Sequence, residues 1–395
     1  MLTLLNENPA RIDGRYLVID RKFVSGMDNY VHHVRARLTS VHPLASNDIP
    51  IMDPVRVPID ALGYEIITLH SGSAGLSGAN DTLVNLIRNS KLVYGSGVAG
   101  IRIALKEGVP YILIRECDLA TRVVVARTSV SNPVRKASRV LKCLLATNEE
   151  AKQLRGAQEV HCNGYPVYEE ARRNNDRRLL YFDSRMSGSM LIDTDVLKQR
   201  AALIRRGRPF RLLYSGRYEP LKGADDAIKV VVRAIRAGAD IELDCYGDGS
   251  LRQRMESLSC SCPDRIRVHD ALPYPELVVA SRGFDAFICC HVQNDPSCTY
   301  LEAFGAGLPI VGYGNRMWQG LLSSSGAGVS SPVGNIEALA SALHVLVQQP
   351  DSVRKMSWQA RDFAVAHTFE NEFARRTNAL NVALDRLGPA RYEPT

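Results

Sequence analysis

Asn294-Asp295-Pro296-Ser297-Cys298-Thr299-Tyr300-Leu301-Glu302-Ala303-Phe304-Gly305-Ala306-Gly307-Leu308-Pro309-Ile310-Val311-Gly312 decides the fold of this chain. The apolar run Ala286 to Val292 before it reads as a buried strand. Asp295-Pro296-Ser297 turns the chain into a short helix, Gly305 and Gly307 stop that helix, and Leu308-Pro309-Ile310-Val311 opens the next strand. Hydroxyl and acceptor side chains therefore collect where a strand's carboxyl end meets a helix amino end. In an open α/β sheet that crevice binds ligands. The free N–H groups of a helix start suit an anion such as a phosphate. Glu302 adds a carboxylate on the same helix.

The residues upstream repeat the pattern. Phe210 to Ser215 reads as a strand, Gly216 to Gly223 as a loop, Ala224 to Gly238 as an amphipathic helix and Ile241 to Tyr246 as a second strand. Gly247-Asp248-Gly249-Ser250 turns into a helix, and Arg265 to His269 is a short strand. Downstream, Leu321 to Val333 reads as loop and the tail Val353 to Leu387 as mostly helical. Four loops thus fall at strand carboxyl ends: Gly216 to Lys222, Gly247 to Gly249, His269 to Pro273, and Asn294 to Glu302. Together they suggest a diphosphate pocket in which Arg217 and Lys222 neutralise charge beside the amides of Ser297, Cys298 and Thr299. Glu302 is placed for two vicinal hydroxyls, as in a ribose, and the backbone at Ala271-Leu272 for a base edge. Singly, each loop is as well read as ordinary surface.

The first half alternates less cleanly. Arg15 to Asp20 is its first strand candidate, followed by a loop Phe23 to Asp28 holding Ser25 and Gly26, and a helix Asn29 to Leu38. Lys91 to Tyr94 is a strand followed by Gly95-Ser96-Gly97-Val98-Ala99-Gly100, a formal GxGxxG with Glu116 about twenty residues on. That leaves open an NAD(P)-dependent oxidoreductase, against glycine-assisted packing of a helix on a sheet. Val109 to Asp118 is a strand ending in charge, where Arg115, Glu116 and Asp118 read either as acid–base or substrate contacts or as a structural ion pair. Arg122, Arg127, Arg135, Lys136, Arg139 and Lys142 make a basic stretch interleaved with valines, read as a solvated helix face or as a contact with an acidic lipid surface. Leu144 to Asn148 reads as a strand. The alternation breaks over Glu169 to Arg208, where the linker is expected.

The chain has 395 residues, 45% of them hydrophobic and 23% charged, enough for two cores. The net charge of +7 suits anionic ligands without calling for nucleic acid. Nine cysteines include no CxxC pair, so reduced core thiols are expected. Cys289, Cys290 and His291 alternate across a strand and do not converge on one metal. No metal site, Walker A loop, HExxH or GxSxG occurs. The first eleven residues do not read as a signal peptide, no run is long enough to span a membrane, and a cytoplasmic location is expected, with peripheral contact at the inner face of the membrane through residues 122–142.

Tyr214-Ser215-Gly216-Arg217 with Lys222-Gly223, then Tyr246-Gly247-Asp248-Gly249, then Pro296 to Pro309, then Asn335 to Ala340, resembles the donor domain of GT-B glycosyltransferases, closest to the retaining family-four set, group 1. The resemblance covers about 170 residues in order and spacing. It implies two Rossmann-like doubly wound parallel-sheet domains facing across a cleft, an acceptor domain over 1–182, a linker over 183–208, a nucleotide-sugar domain over 209–368, and a C-terminal helix, about 369–395, crossing back to the first domain. The implied reaction moves a hexose from a UDP- or GDP-sugar to an acceptor hydroxyl with retention, in surface polysaccharide or glycolipid synthesis. The acceptor would be a carbohydrate or a polyprenyl-linked sugar, and no cofactor or metal is required. Arg217 and Lys222 match the diphosphate-binding pair, Ser297, Cys298 and Thr299 the phosphate-binding amides, and Glu302 the ribose ligand. Gly216, Gly247, Asp248 and Leu272 fall in the nucleotide-facing loops. Ser25-Gly26 resembles the acceptor-side glycine loop. The first acidic residue of the family's Glu–seven residues–Glu motif falls on Asn294, with Asp295 one residue out of register. Asp118 and Glu116 stand roughly where the family carries a histidine. Loss of the acid at 294 also admits a nucleotide-sugar-binding protein impaired in catalysis.

Overall fold

The computed structural model describes residues 1–45, 53–69, 81–96, 98–128, 132–205, 208–294 and 296–388. Asp295 and Gly97 lie outside the described residues. The chain divides into two units, Met1–Glu116 with Lys142–Tyr181 and Glu370–Thr395, and Cys117–Leu141 with Phe182–Phe369.

Among the described residues the first unit holds ten strands: β1 Leu2–Leu5, β2 Arg11–Asp13, β3 Tyr16–Asp20, β4 Leu38–Pro43, β5 Pro54–Pro58, β6 Glu65–Leu69, β7 Leu92–Gly95, β8 Tyr111–Arg115, β9 Glu159–Asn163 and β10 Arg178–Tyr181. Seven of them form a parallel sheet in the order β10-β9-β8-β7-β1-β4-β6. β2, β3 and β5 form a small antiparallel sheet. β1 and β7 are buried at every position, as a strand covered by helices on both faces requires. The strand over Arg15 to Asp20 therefore belongs to the small sheet, and the central strand of the main sheet is the first apolar run, Leu2–Leu5.

In the second unit six strands, β11 Phe210–Ser215, β12 Ile241–Tyr246, β13 Ile266–His269, β14 Ala286–Cys289, β15 Ile310–Tyr313 and β16 Gly328–Ser331, form an all-parallel sheet in the order β13-β12-β11-β14-β15-β16. Strand order reverses between β11 and β14, so the ends of these two strands form the topological switch point. The helix Ala224–Arg236 packs Ala227, Ile228, Val231 and Ala234 onto the sheet, where they join Leu212, Leu243 and Ile288 in one core.

Several local expectations fail for identifiable reasons. Phe23 to Asp28 is not a loop: the helix Arg21–His33 runs through it, N-capped by Asp20, which accepts from the Lys22 amide at 2.9 Å. Leu144 to Asn148 is not a strand, because the helix Pro133–Leu145 runs into the helix Thr147–Gly156. Leu321 to Val333 holds the end of the helix Arg316–Ser325 and β16, separated by Gly326 with φ +67° as a left-handed C-cap. Within the expected linker, the helix Thr194–Arg205 is bound to the second unit by Arg200, which donates to the carbonyls of Ala306, at 3.0 Å, and Gly307.

Candidate functional site

The site grows from the carboxyl edge of the second sheet. The chain leaves β11 through Gly216 and Arg217, and Tyr218 then fastens three loops together. The Tyr218 hydroxyl donates to the carbonyls of Cys245 (2.8 Å) and His269 (2.9 Å), and its amide donates to Asp248 O at 2.8 Å. Its ring is fully buried. Gly249, with φ +152°, lies so close over Tyr218 that a Cβ would run into its backbone. Glu219 adds two bonds from Ser250, at 3.1 Å from the amide and 2.7 Å from the hydroxyl. Nothing in the sequence pattern singles out Tyr218; its importance comes from bonds to residues 27 and 51 positions away.

Pro220–Lys222 is a single 3-10 turn closed by Gly223 in the left-handed region at φ +57°. A Cβ at Gly223 would overlap the carbonyl oxygen of Cys290. The Val292 amide donates to Leu221 O at 3.2 Å. The turn that carries Lys222 is thus bound to the chain leaving β14. Lys222 is buried and Arg217 is exposed. Both raise the local positive potential at His291, whose imidazole is held neutral first by burial and then by these two cations. His291 is 4% exposed, its Nδ1 has no hydrogen-bond partner among the described residues, and its ring meets Tyr300 edge-on at 5.6 Å. Sequence reasoning considered His291 only as a metal ligand and missed this place beside the cationic pair.

Ser297, Cys298 and Thr299 lead into the helix Thr299–Gly305. The Ser297 hydroxyl donates to Thr299 Oγ1 at 3.1 Å, and the Cys298 thiol donates to Asp183 O at 3.0 Å. This helix has only seven residues, so its dipole is small. One turn on, Glu302 is 12% exposed in its side chain. Its Oε1 accepts from Arg185 Nε at 3.0 Å and Nη2 at 2.8 Å, and the Arg185 guanidinium lies 4.1 Å over the Tyr274 ring. Tyr274, Glu302 and Ser215 line one small pocket. Arg185 and Tyr274 were not legible as site residues: the first lies in the expected linker and the second just past the expected loop. Asp248, in the loop after β12, is mostly exposed, and Leu272 is half-buried after β13.

Asp118 belongs to the second unit, not the first. Its side chain has 0% exposure. It accepts from Thr121 N at 2.8 Å, Asn294 Nδ2 at 3.0 Å and Arg316 Nη1 at 3.2 Å. Asn294 and Asp118, read from opposite halves of the sequence, therefore meet in one cluster. Glu116 is exposed at the end of the first unit's Met1–Glu116 segment. Arg115 is held by Glu170 at 3.1 Å and Glu150 at 3.5 Å, the structural ion pair of the two readings.

Ser25 and Gly26 stand on a helix rather than in a glycine loop. The Ser25 hydroxyl donates to Arg21 O at 3.3 Å, and Gly26 has its open side filled by the Phe373 ring, so the glycine has a packing reason within the first unit. Two of the GxGxxG glycines, Gly95 and Gly100, have one as well. A Cβ at Gly95 or Gly100 would run into Leu5 of β1. β7 is an inner strand of its sheet, between β1 and β8.

Two doubly wound units, each a parallel sheet with helices on its faces, define the class: the chain has the GT-B fold, and the terminal residues Glu370–Thr395 return to the first unit. Within the second unit, residues 195–363 match the family described as glycosyl transferases group 1. Over 117 residues the chain is 26% identical to the GtfA subunit of the UDP-N-acetylglucosamine–peptide N-acetylglucosaminyltransferase of Streptococcus gordonii, a match covering 28% of this chain and 22% of that protein. The chain thus spans only about a fifth of the curated relative it matches. Among solved structures it resembles the sucrose-phosphate synthase of Thermosynechococcus elongatus, with 16% identity, 98% and 99% of the two chains covered and a TM-score of 0.65. It also resembles HepE of Anabaena in complex with UDP, with 11% identity, 98% of each chain covered and a TM-score of 0.61. The third is WaaG, a glycosyltransferase involved in lipopolysaccharide biosynthesis, with 13% identity, 96% and 99% covered and a TM-score of 0.60.

Proposed function

We propose that the protein transfers a hexose from a UDP- or GDP-sugar to an acceptor hydroxyl with retention at the anomeric carbon. The observation that carries this reading is the match of residues 195–363 to the group 1 glycosyltransferases, with Arg217 and Lys222 in the loop that leaves β11 at the switch point of that sheet. The similar HepE structures hold UDP and UDP-glucose.

The leaving group is a nucleoside diphosphate. As the anomeric bond to the diphosphate breaks, negative charge grows on the departing oxygen while the sugar takes on oxocarbenium character. Arg217 and Lys222 neutralise that charge, with the amides at Ser297, Cys298 and Thr299 as secondary donors. Lys222 is the stronger contributor, since burial lowers the screening around its ammonium. Glu302 accepts from the ribose hydroxyls through the oxygen that Arg185 leaves to it, and Leu272 lies where the base edge pairs. Gly216, Gly247 and Asp248 shape the loops around the diphosphate. Asp118 and Asp295 are proposed at the sugar end. Because protein cations supply the neutralisation, no metal is required. Ser25 and Gly26 carry no part in this reading, since Phe373 accounts for the glycine.

The proposed acceptor is a polyprenyl-linked or other surface carbohydrate, reached from the inner face of the membrane. The helix Pro133–Leu145 supports this. None of its residues is buried; Val134 and Leu145 are 75% and 70% exposed, and Arg135, Lys136, Arg139 and Lys142 share it. Apolar side chains with a cationic flank suit an anionic lipid interface. Vesicles with one third anionic lipid should sediment the protein and neutral vesicles should not; equal sedimentation by both would refute the electrostatic part.

The experiment for the reaction is a panel of UDP- and GDP-sugars with a polyprenyl-linked acceptor, in EDTA, read by product mass. A product heavier by one hexose residue supports the reading. Tight nucleotide-sugar binding with neither hydrolysis nor transfer would favour the catalytically impaired binder instead.

A further inference from the structure

Asn294 occupies a point where three elements meet. It follows β14; Arg316 opens the helix Arg316–Ser325 after β15; Asp118 caps the helix Leu119–Thr128 through the Thr121 amide. The Asn294 side chain works in both directions. Its Nδ2 donates to Asp118 Oδ2 at 3.0 Å, and its Oδ1 accepts from the Arg316 amide at 2.9 Å. Arg316 Nη1 completes the ring by donating to Asp118 Oδ2 at 3.2 Å. An amide both donates and accepts at one planar terminus; an ionised carboxylate accepts only. A second carboxylate at 294 would face the buried Asp118 carboxylate across a hydrogen-bond distance, with one charge unable to persist. The neutral residue at 294 is therefore dictated by the acid at 118.

We propose that Asn294 is a positioning residue: its side-chain amide ties the end of β14 to the ion pair of the buried Asp118 with Arg316, and transfer from the nucleotide sugar depends on that tie. This rests on the nucleotide-sugar reading above. The negative charge of this corner has not been lost with the acid at 294; it sits on Asp118, and Asn294 holds Asp118 and the end of β14 in one register.

The test is a double-mutant cycle of Asn294→Asp, Asp118→Asn and the two combined. Asn294→Asp should lower nucleotide-sugar turnover about tenfold or more, as expected for directly bonded partners, while UDP or GDP affinity, set by Arg217 and Lys222, stays within about twofold. Its turnover should rise again as pH falls from 8 to 5, when the paired carboxylates share a proton that restores a donor. The wild type should show no such rise. The combined variant, which exchanges amide and acid, should recover most of the loss. Wild-type turnover and a flat pH profile in Asn294→Asp, or additive losses in the combined variant, would overturn the proposal. The cycle is also read in thermal unfolding midpoints without substrate. If the wild type binds neither UDP nor GDP, the nucleotide-sugar reading fails and the dependence of transfer on the tie fails with it. Coupled midpoints then still establish the tie, and additive midpoints overturn that as well.

Discussion

Gly223 concentrates the local logic of the site in one residue. Its φ of +57° is open to glycine at little cost, and its Cα hydrogen faces the Cys290 carbonyl where a methyl group does not fit. Gly223→Ala should therefore destabilise the second unit by about 2–4 kcal/mol, combining backbone strain with a forced separation of β14 from the Lys222 turn. Urea denaturation measures it; a loss under about 0.5 kcal/mol, the ordinary surface value, would show that the turn relaxes freely. The residue scale is also where sequence reading reached its limit. Arg217, Lys222 and Glu302 stood out because their types and spacing repeat a pattern. Tyr218, Arg185 and Arg316 did not, because each acts through partners far along the chain: Tyr218 with His269, Arg185 with Glu302, Arg316 with Asp118.

Among the elements, β4 and β9 of the first sheet each carry a histidine with no exposed surface. His42 bonds the Asn8 carbonyl at 2.9 Å and the Ser40 hydroxyl at 2.8 Å; burial holds its pKa down to about 4. His161 meets the Tyr94 hydroxyl at 3.1 Å, and burial, then Arg376, holds it down to about 3. Glu159 lies 3.7 Å from His161 Nε2, but that carboxyl is itself pushed upward by burial, so desolvation governs. The folded values lie below the unfolded value of about 6.5, so the unfolded chain binds protons that the folded chain refuses. The stabilisation is complete above pH 6.5 and is lost as pH falls toward 4, at about 1.4 kcal/mol per pH unit for each ring. Stability flat between pH 6.5 and 4.5 would mean that these rings accept protons in place. Strands and helices of the second sheet were legible because apolar runs of strand length alternate with helical faces. The first unit was harder for physical reasons. β1 is four residues at the very start of the chain, and the helix Arg21–His33 contains a glycine that serves Phe373 rather than a turn. Leu144 and Leu145 look like a strand core yet are exposed on a helix, because apolarity alone does not distinguish a core from an interface.

At the scale of the whole molecule, a chain of 395 residues is built as two parallel-sheet units, with the proposed donor site at the switch point of the second. The resemblance of four ordered motifs pointed to this architecture. It did not foresee that residues Cys117–Leu141, early in the sequence, belong with the second unit. That placement brings Asp118 to Asn294 and turns an apparent defect in the family motif into a bonded cluster. The central claim is that Lys222 and Arg217 form a diphosphate site, and calorimetric titration with UDP, GDP and NAD tests it most directly. The account predicts that UDP or GDP binds while NAD does not, and that Lys222→Ala weakens nucleotide binding by about 30-fold or more, the worth of a buried charge-assisted contact to phosphate. NAD binding in place of UDP and GDP, or a Lys222→Ala variant that binds the nucleotide as the wild type does, would contradict it.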